Sequence, residues 1–141
     1  MPQVRLARLE ELPIAAAIYQ QVLRRTFTWS PAWRHNAQDF LRAAEDEDIF
    51  VAVAEFRIVG VAGFHRPDNF LHSLYVAERG QGVGKAILDH IYASSSGPVA
   101  LKCQAANLRA QAFYTREGFQ VVEQARDLPS GPPWVRMLRN I

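Results

Sequence analysis

The stretch "ERGQGVGKAI", residues 78–87, sets three glycines at alternate positions, follows them with Lys85 and lies between two apolar runs. Glycines so spaced let a backbone approach an anion without Cβ clashes. Successive main-chain N–H groups, with the start of a following helix, then make a phosphate site. Two common phosphate turns do not fit. The nucleotide-triphosphate loop, G-x-x-x-x-G-K-[ST], needs glycine where Arg79 stands and a hydroxyl for Mg²⁺ where Ala86 stands. The dinucleotide fingerprint, G-x-G-x-x-G, puts Lys85 at its third glycine, and no acidic residue lies close to 20 positions further on to take a ribose hydroxyl. What remains is R-x-x-G-x-G, Arg79 to Gly84, holding some other phosphate.

A second group of residues could move protons. His72 carries an imidazole suited to proton removal near neutral pH, although a strand histidine is as often a structural one bonded to a neighbouring hydroxyl or carbonyl. His65 and His35 are poorer candidates. The single cysteine, Cys103, leaves no internal disulfide and reads as a core residue, not as an acyl-carrying nucleophile. The acidic run "EDED", 45–48, reads as a solvated turn, and no metal is expected.

The elements that position these groups follow from periodicity. "VRLAR" (4–8) reads as a strand. Leu12, Ala15, Ala16, Tyr19, Val22 and Leu23 recur at helical spacing behind an early Pro13. "TFTWSPAW" (26–33) reads as a loop, and a shorter helix covers about 35–44 with Phe40 and Leu41 inward. Residues 49–55 and 58–66 form a hairpin around "FR", and 69–77 is a third consecutive strand, apolar enough to be covered on both faces. Alternation there places Phe70, His72, Leu74 and Val76 on one face unless a bulge intervenes. Val83, Ile87 and Ile91 mark a helix ending near "SSSG", and 98–104 is a strand. Residues 107–118 form a helix opening on Asn107 and closing on Gly118. Strands at 119–125 and 134–140, joined by "DLPSGPP", complete a mixed α/β sheet flanked by helices, one domain over 1–141.

Composition sets the outer bounds. A chain of 141 residues, 49% apolar and 21% charged, is globular and buries roughly two-thirds of its unfolded surface. A net charge of +2 with no long basic block favours a small anionic ligand and gives no reason to expect nucleic acid. No apolar run is long enough to cross a bilayer. The N-terminal "MPQVRLARLEEL" lacks the apolar core of a signal peptide, so a cytoplasmic location is the expectation.

The glycine turn in its surroundings resembles the acetyl-CoA signature of the GCN5-related N-acetyltransferases (GNAT), [QR]-x-x-G-x-[GA]. "FLHSLYVAERGQGVGKAIL" is similar to that family's fourth strand, pyrophosphate turn and third helix. "LKCQAANLRAQAFYTREGF" resembles its fifth strand and fourth helix, with the pattern N-x-x-A-x-x-F-Y-x-x-x-G-F. The likeness is coherent over residues 49–139. It implies the GNAT fold, a mostly antiparallel sheet flanked by about four helices, and acetyl transfer from acetyl-CoA to an amine by direct attack. It implies that strands four and five part, with pantetheine lying in the gap against the backbone of Leu74, Tyr75 and Val76. The Val76 N–H would then polarise the thioester carbonyl. Arg79, Gly80, Gln81, Gly82, Val83, Gly84 and Lys85 would surround the diphosphate, and Asn107 would touch the cofactor arm, cap its helix, or both.

Tyr114, at the family's tyrosine position, would supply the proton that the departing thiolate needs. His72 stands four positions before the valine, where relatives often carry an acidic residue and arylalkylamine N-acetyltransferases carry histidine. It would be the base. By the same resemblance Phe27, Trp29, Trp33, Arg34 and Trp134, together with His72, would line the acceptor pocket. Aromatic faces there could hold an ammonium and Arg34 a carboxylate. The absence of a carboxylate cluster disfavours a polyamine. A small-molecule amine is the expected acceptor, with a protein or aminoacyl amino group, or a non-catalytic coenzyme-binding module, as alternatives. A homodimer is compatible with the family.

Overall fold

The structure is a computed structural model that describes residues 2–26, 37–78, 80–126 and 129–140. Its elements are β1 (Gln3–Leu6), α1 (Leu12–Thr26), α2 (Ala37–Ala43), β2 (Asp48–Ala54), β3 (Arg57–His65), β4 (Phe70–Val76), α3 (Val83–Ser94), β5 (Val99–Gln104), α4 (Leu108–Arg116), β6 (Gln120–Arg126) and β7 (Pro133–Arg139). This is the order that periodicity predicts. One seven-stranded sheet runs β1-β2-β3-β4-β5-β7-β6, antiparallel at every junction except the parallel β4–β5 pair.

Strand alternation divides the core in two. On β2, Ile49 and Val51 face α1 and α2, packing with Ala15, Ala16, Ile18, Phe40 and Val61. Phe50 and Ala52 face the other way, toward Ile87, Leu88 and Ile91 of α3 and Leu101, Val135 and Met137 of the later strands. The helices therefore lie on opposite faces, α1 and α2 on one, α3 and α4 on the other. Among the described residues no helix is long and apolar enough to cross a membrane.

The predicted alternation along β4 is broken. Gly63 pairs with Ser73 and Phe64 with Leu71, so His72 is the extra residue of a β-bulge. Leu71, Leu74 and Val76 pack toward α3, whereas Tyr75 joins the α1–α2 core. His72 consequently leaves the face of Leu74 and Val76 on which simple alternation would put it. Its ring lies with Phe70 and His65 instead, 5.1 and 6.0 Å away between centroids.

Beyond the bulge β4 departs from β5. The two strands pair only at Phe70–Ala100 and Leu71–Leu101. Ala77 donates to the Val59 carbonyl at 2.9 Å, and with this register the peptide groups of Tyr75 also face β3. Those of Leu74 and Val76 face the opening. On the other side Ala100 donates to the Asn69 carbonyl at 3.0 Å, so the peptide groups of Lys102 and Gln104 look into the same opening.

The β2–β3 hairpin turns through Glu55 and Phe56, both in left-handed backbone, with φ of 52° and 68°. Two such residues make the primed turn that suits strand twist, a turn best served by Asn-Gly. Phe56 is also fully exposed. Left-handed backbone costs a non-glycine residue roughly 1–2 kcal/mol. The double substitution Glu55→Asn, Phe56→Gly is therefore expected to raise unfolding stability by about 1 kcal/mol, read as a higher urea midpoint at unchanged slope.

Candidate active site

The opening between β4 and β5 is the mouth of a cleft of about 980 Å³. Its walls include Leu74 and Val76 from β4, Lys102 and Cys103 from β5, and Tyr114 from α4, with His72 at the bulge. The glycine turn closes one end. Gly80 and Gly82 have φ of 81° and 73°, and a Cβ added to either would meet nothing within 4 Å. The turn is thus shaped by backbone conformation, and the space over it is open.

Gly82 caps α3 without a side chain, and the first intrahelical bond runs from the Ala86 amide to its carbonyl at 3.1 Å. The amides of Val83, Gly84 and Lys85 consequently lack intrahelical partners at the positive end of the helix dipole. Gly84 has a different duty from its two neighbours. A Cβ there would come within 2.9 Å of the Phe113 ring. Its bareness lets α3 and α4 pack closely at the cleft floor.

Lys85 is committed to carboxylates, 3.2 Å from Glu117 and 3.4 Å from Asp89, and these partners raise its ammonium above its ordinary value. Asn107 caps α4, accepting the Ala110 amide at 3.2 Å, and lines the cleft as well. Gln81 also borders the cleft.

Tyr114 stands half-buried between Phe113 and Phe119. Burial, with Cys103 adding to it, holds its phenol well above the ordinary tyrosine value. At neutral pH it is a proton donor. Among the described residues nothing bonds its hydroxyl. Burial likewise pushes the Cys103 thiol up to about 11, which keeps it protonated and a poor nucleophile.

On the opposite face His72 is half-exposed, and its Nδ1 bonds a Glu47 carboxylate oxygen. The Glu47 side chain is only 4% exposed. Its other oxygen occupies the place a Cβ of Gly63 would take, 2.4 Å from that position. The cleft is therefore reached by Tyr114 from the α3–α4 side and by His72 from the α1–α2 side.

The model of the acetyltransferase (GNAT) family matches residues 15–119. The chain belongs to the GNAT acetyltransferases. Solved structures agree in fold. The apo form of YjaB from Escherichia coli superposes with a TM-score of 0.79 at 23% identity, covering 98% of this chain and 97% of that one. The ribosomal-protein-S18-alanine N-acetyltransferase of Escherichia coli gives 0.76 at 21%, covering 100% and 94%. PaiA N-acetyltransferase from Thermoplasma acidophilum, solved with coenzyme A, gives 0.78 at 16%, covering 100% and 99%. No curated protein matches the chain.

Set against this GNAT frame, the sequence expectations divide. Leu74, Val76, Gly80, Gln81, Gly82, Val83, Asn107 and Tyr114 all border one cleft. Tyr75 borders it too, but its backbone belongs to the β3 ladder and its ring meets Tyr19 edge-on, 5.1 Å away. Trp134 already carries the Lys102 ammonium over its ring at 4.1 Å, so one of its faces is taken by this chain's own cation. Phe27, Trp29, Trp33, Arg34, His35 and Arg79 lie outside the described residues.

Two residues were missed. Arg25, at the end of α1, donates to the carbonyls of Val76 and Ala77 at 3.3 and 3.2 Å and borders the cleft. Glu47 falls within the acidic run that reads as a solvated turn, yet its side chain is buried. No local pattern announces either, because each meets β3 or β4 only through tertiary structure.

A buried carboxylate deprived of its partner costs about 1–3 kcal/mol or more. His72→Leu is expected to destabilise the protein by that order. Adding Glu47→Leu should restore most of the loss, since an apolar pair tolerates the site better than a lone charge. Urea midpoints of the two single variants and the double variant read the cycle.

Proposed function

We propose that the chain transfers the acetyl group of acetyl-CoA to the amine of a small molecule, by direct attack within a ternary complex. The observation that carries this reading is the parted β4–β5 pair, approached by Tyr114 from one face and His72 from the other. The residues present fit the coenzyme. The amides of Val83, Gly84 and Lys85, without intrahelical partners at the start of α3, suit a diphosphate. The peptide groups of Leu74 and the N–H of Val76, which face the opening, are suited to an amide-bearing arm laid between the strands, as in strand addition.

When bound, acetyl-CoA would supply a thioester carbonyl, and the Val76 N–H, which faces the opening, would stabilise negative charge on its oxygen. His72 accepts the proton that the acceptor nitrogen must shed on becoming an amide. Tyr114 donates its hydroxyl proton to the departing sulfur. An alkylamine near pKa 10.4 is almost wholly ammonium at neutral pH, so it first releases one proton to water, and the second, shed as the amide forms, goes to His72. Cys103, held as a thiol, takes no part as an acyl carrier.

A small acceptor is favoured by the surface around His72. His65 and Phe70 give it rings, and among the described residues the carboxylate that bonds His72, Glu47, has a buried side chain already engaged by it. That surface offers little grip for a polycation. A protein amine remains the rival acceptor, because two fold neighbours are named for a ribosomal-protein alanine.

Thiol release from acetyl-CoA, followed across alkylamines, arylalkylamines, amino acids, aminosugars and an alanine-headed peptide, tests the proposal. Turnover of a small amine well above the peptide is expected. Turnover of the peptide alone would reject the small acceptor, and binding of coenzyme A with no turnover of any amine would reject catalysis. Tyr114→Phe should lower kcat by about a hundredfold to ten-thousandfold while calorimetry finds coenzyme A binding unchanged. Gly82→Ala, which forces a Cβ into left-handed backbone, should do the reverse, weakening coenzyme A binding by at least about tenfold, equivalent to roughly 1.4 kcal/mol.

A further inference from the structure

We infer that Glu47 is a positioning residue for the proposed base: it fixes His72 in the one tautomer that leaves Nε2 free to take the acceptor's proton. The inference rests on the reading of His72 as proton acceptor. It adds a group from outside both halves of the glycine-turn resemblance.

Three features of the structure converge on it. Glu47 is 4% exposed and its only ion pair among the described residues is with His72 Nδ1. An ionised carboxylate can only accept, so the neutral imidazole must carry its proton on Nδ1 and its lone pair on Nε2. The bulge is the second feature. It carries His72 away from the face of Leu74 and Val76 and toward Glu47, while the residue still borders the cleft. The third is Gly63. Any side chain there would displace the carboxylate, since a Cβ would lie 2.4 Å from Glu47 Oε1 and 2.9 Å from Ser73 Oγ.

The charged and titratable groups facing His72 are few. Glu47 precedes β2. His65 of β3 stacks its ring on His72 with an interplanar angle of 15° and is itself bonded by Asp68 at 2.8 Å. Arg136 of β7 lies 5.7 Å over the Phe70 ring that abuts His72. Of these, only Glu47 bonds the imidazole.

In the step so arranged, the acceptor nitrogen forms a bond to the acetyl carbon and its proton moves to Nε2. The carbon–sulfur bond breaks and the sulfur takes the proton of the Tyr114 hydroxyl. Nδ1 keeps its own proton throughout, bonded to Glu47. Water returns the two enzyme groups to their starting states by moving one proton from His72 to Tyr114.

The test separates tautomer from rate. Nitrogen-15 spectra of the His72 ring, recorded with the imidazole neutral on the coenzyme-A-bound protein, need no acceptor. Wild type is expected in the Nδ1–H form and Glu47→Leu in the Nε2–H form. With acetyl-CoA and the fastest primary amine of the panel, Glu47→Leu should lose about tenfold to a hundredfold in kcat at unchanged KM for acetyl-CoA. Glu47→Gln, whose amide oxygen still accepts from Nδ1, should recover the tautomer and part of the rate. Unchanged coenzyme A affinity in both variants verifies the fold. Wild-type kcat in Glu47→Leu, with His72→Gln impaired, would overturn this inference alone. Wild-type kcat in His72→Gln would overturn the assignment of His72 and this inference with it.

Discussion

The molecule depends on a junction of two rungs. A seven-stranded sheet is held across its middle only at Phe70–Ala100 and Leu71–Leu101, after which β4 and β5 separate. The separation is built into β4 by the extra residue at His72, because a bulge bends its strand and tightens its twist. The peptide groups of Leu74 and Val76 on that edge face the opening instead of β5, and Arg25 takes the Val76 carbonyl. In a closed core that would be costly. Here the groups border an open cleft, where a ligand with its own amides could bond them.

Because so little joins the two halves of the sheet directly, helices hold the geometry from outside. On one face α3 bridges the halves, with Ile87, Leu88 and Ile91 packed among side chains of β2 and β3 on one side and of β5 and β7 on the other. The Gly84–Phe113 approach fixes α3 against α4, and Lys85–Glu117 ties the same two helices at the rim. The Gln111 amide reaches back to the Ala105 and Gln104 carbonyls, at 2.9 and 3.3 Å, clamping α4 to the end of β5. Across the sheet Arg25 anchors α1 to the end of β4. The turn at Gly80 and Gly82 is therefore suspended between a strand and a helix that are each held elsewhere. Its amides can be oriented in advance without side chains to orient them.

The parts legible in the sequence were those whose cause is local. Periodicity along 83–91 and 107–118 marks helices because each apolar stripe must be buried, and α3 and α4 begin where Val83 and Asn107 indicate. The glycine turn was legible because left-handed backbone needs glycine, which holds at Gly80 and Gly82 and not at Gly84. Register was not legible. The bulge inverts the face of His72 relative to Leu74 through the insertion of one residue, and no residue type in "FLHSLYV" demands it. Glu47 failed for a related reason. Within "EDED" its neighbours Glu45 and Asp46 are exposed as a polar run predicts. What removes Glu47 from water is its alternation with Ile49 and Val51 on one face, together with a bare Gly63 on the adjacent strand, where it pairs with Ile49 and is distant in sequence.

The two proposed proton-handling groups differ in environment in a way that gives direction to the chemistry. Tyr114 sits among aromatic rings, and desolvation keeps its phenol protonated, so it can give a proton but does not compete to remove one. His72 stands half in solvent, where a proton taken up can leave again, and among the described residues it bonds the Glu47 carboxyl group, whose side chain is held out of water. The sheet itself stands between them. A proton removed on the α1–α2 side cannot pass straight to Tyr114 except through the gap in which the reaction occurs. Separation across the sheet therefore makes the reacting atoms the shortest connection between acid and base, and the same two-rung junction that admits a ligand also aligns the groups that would act on it.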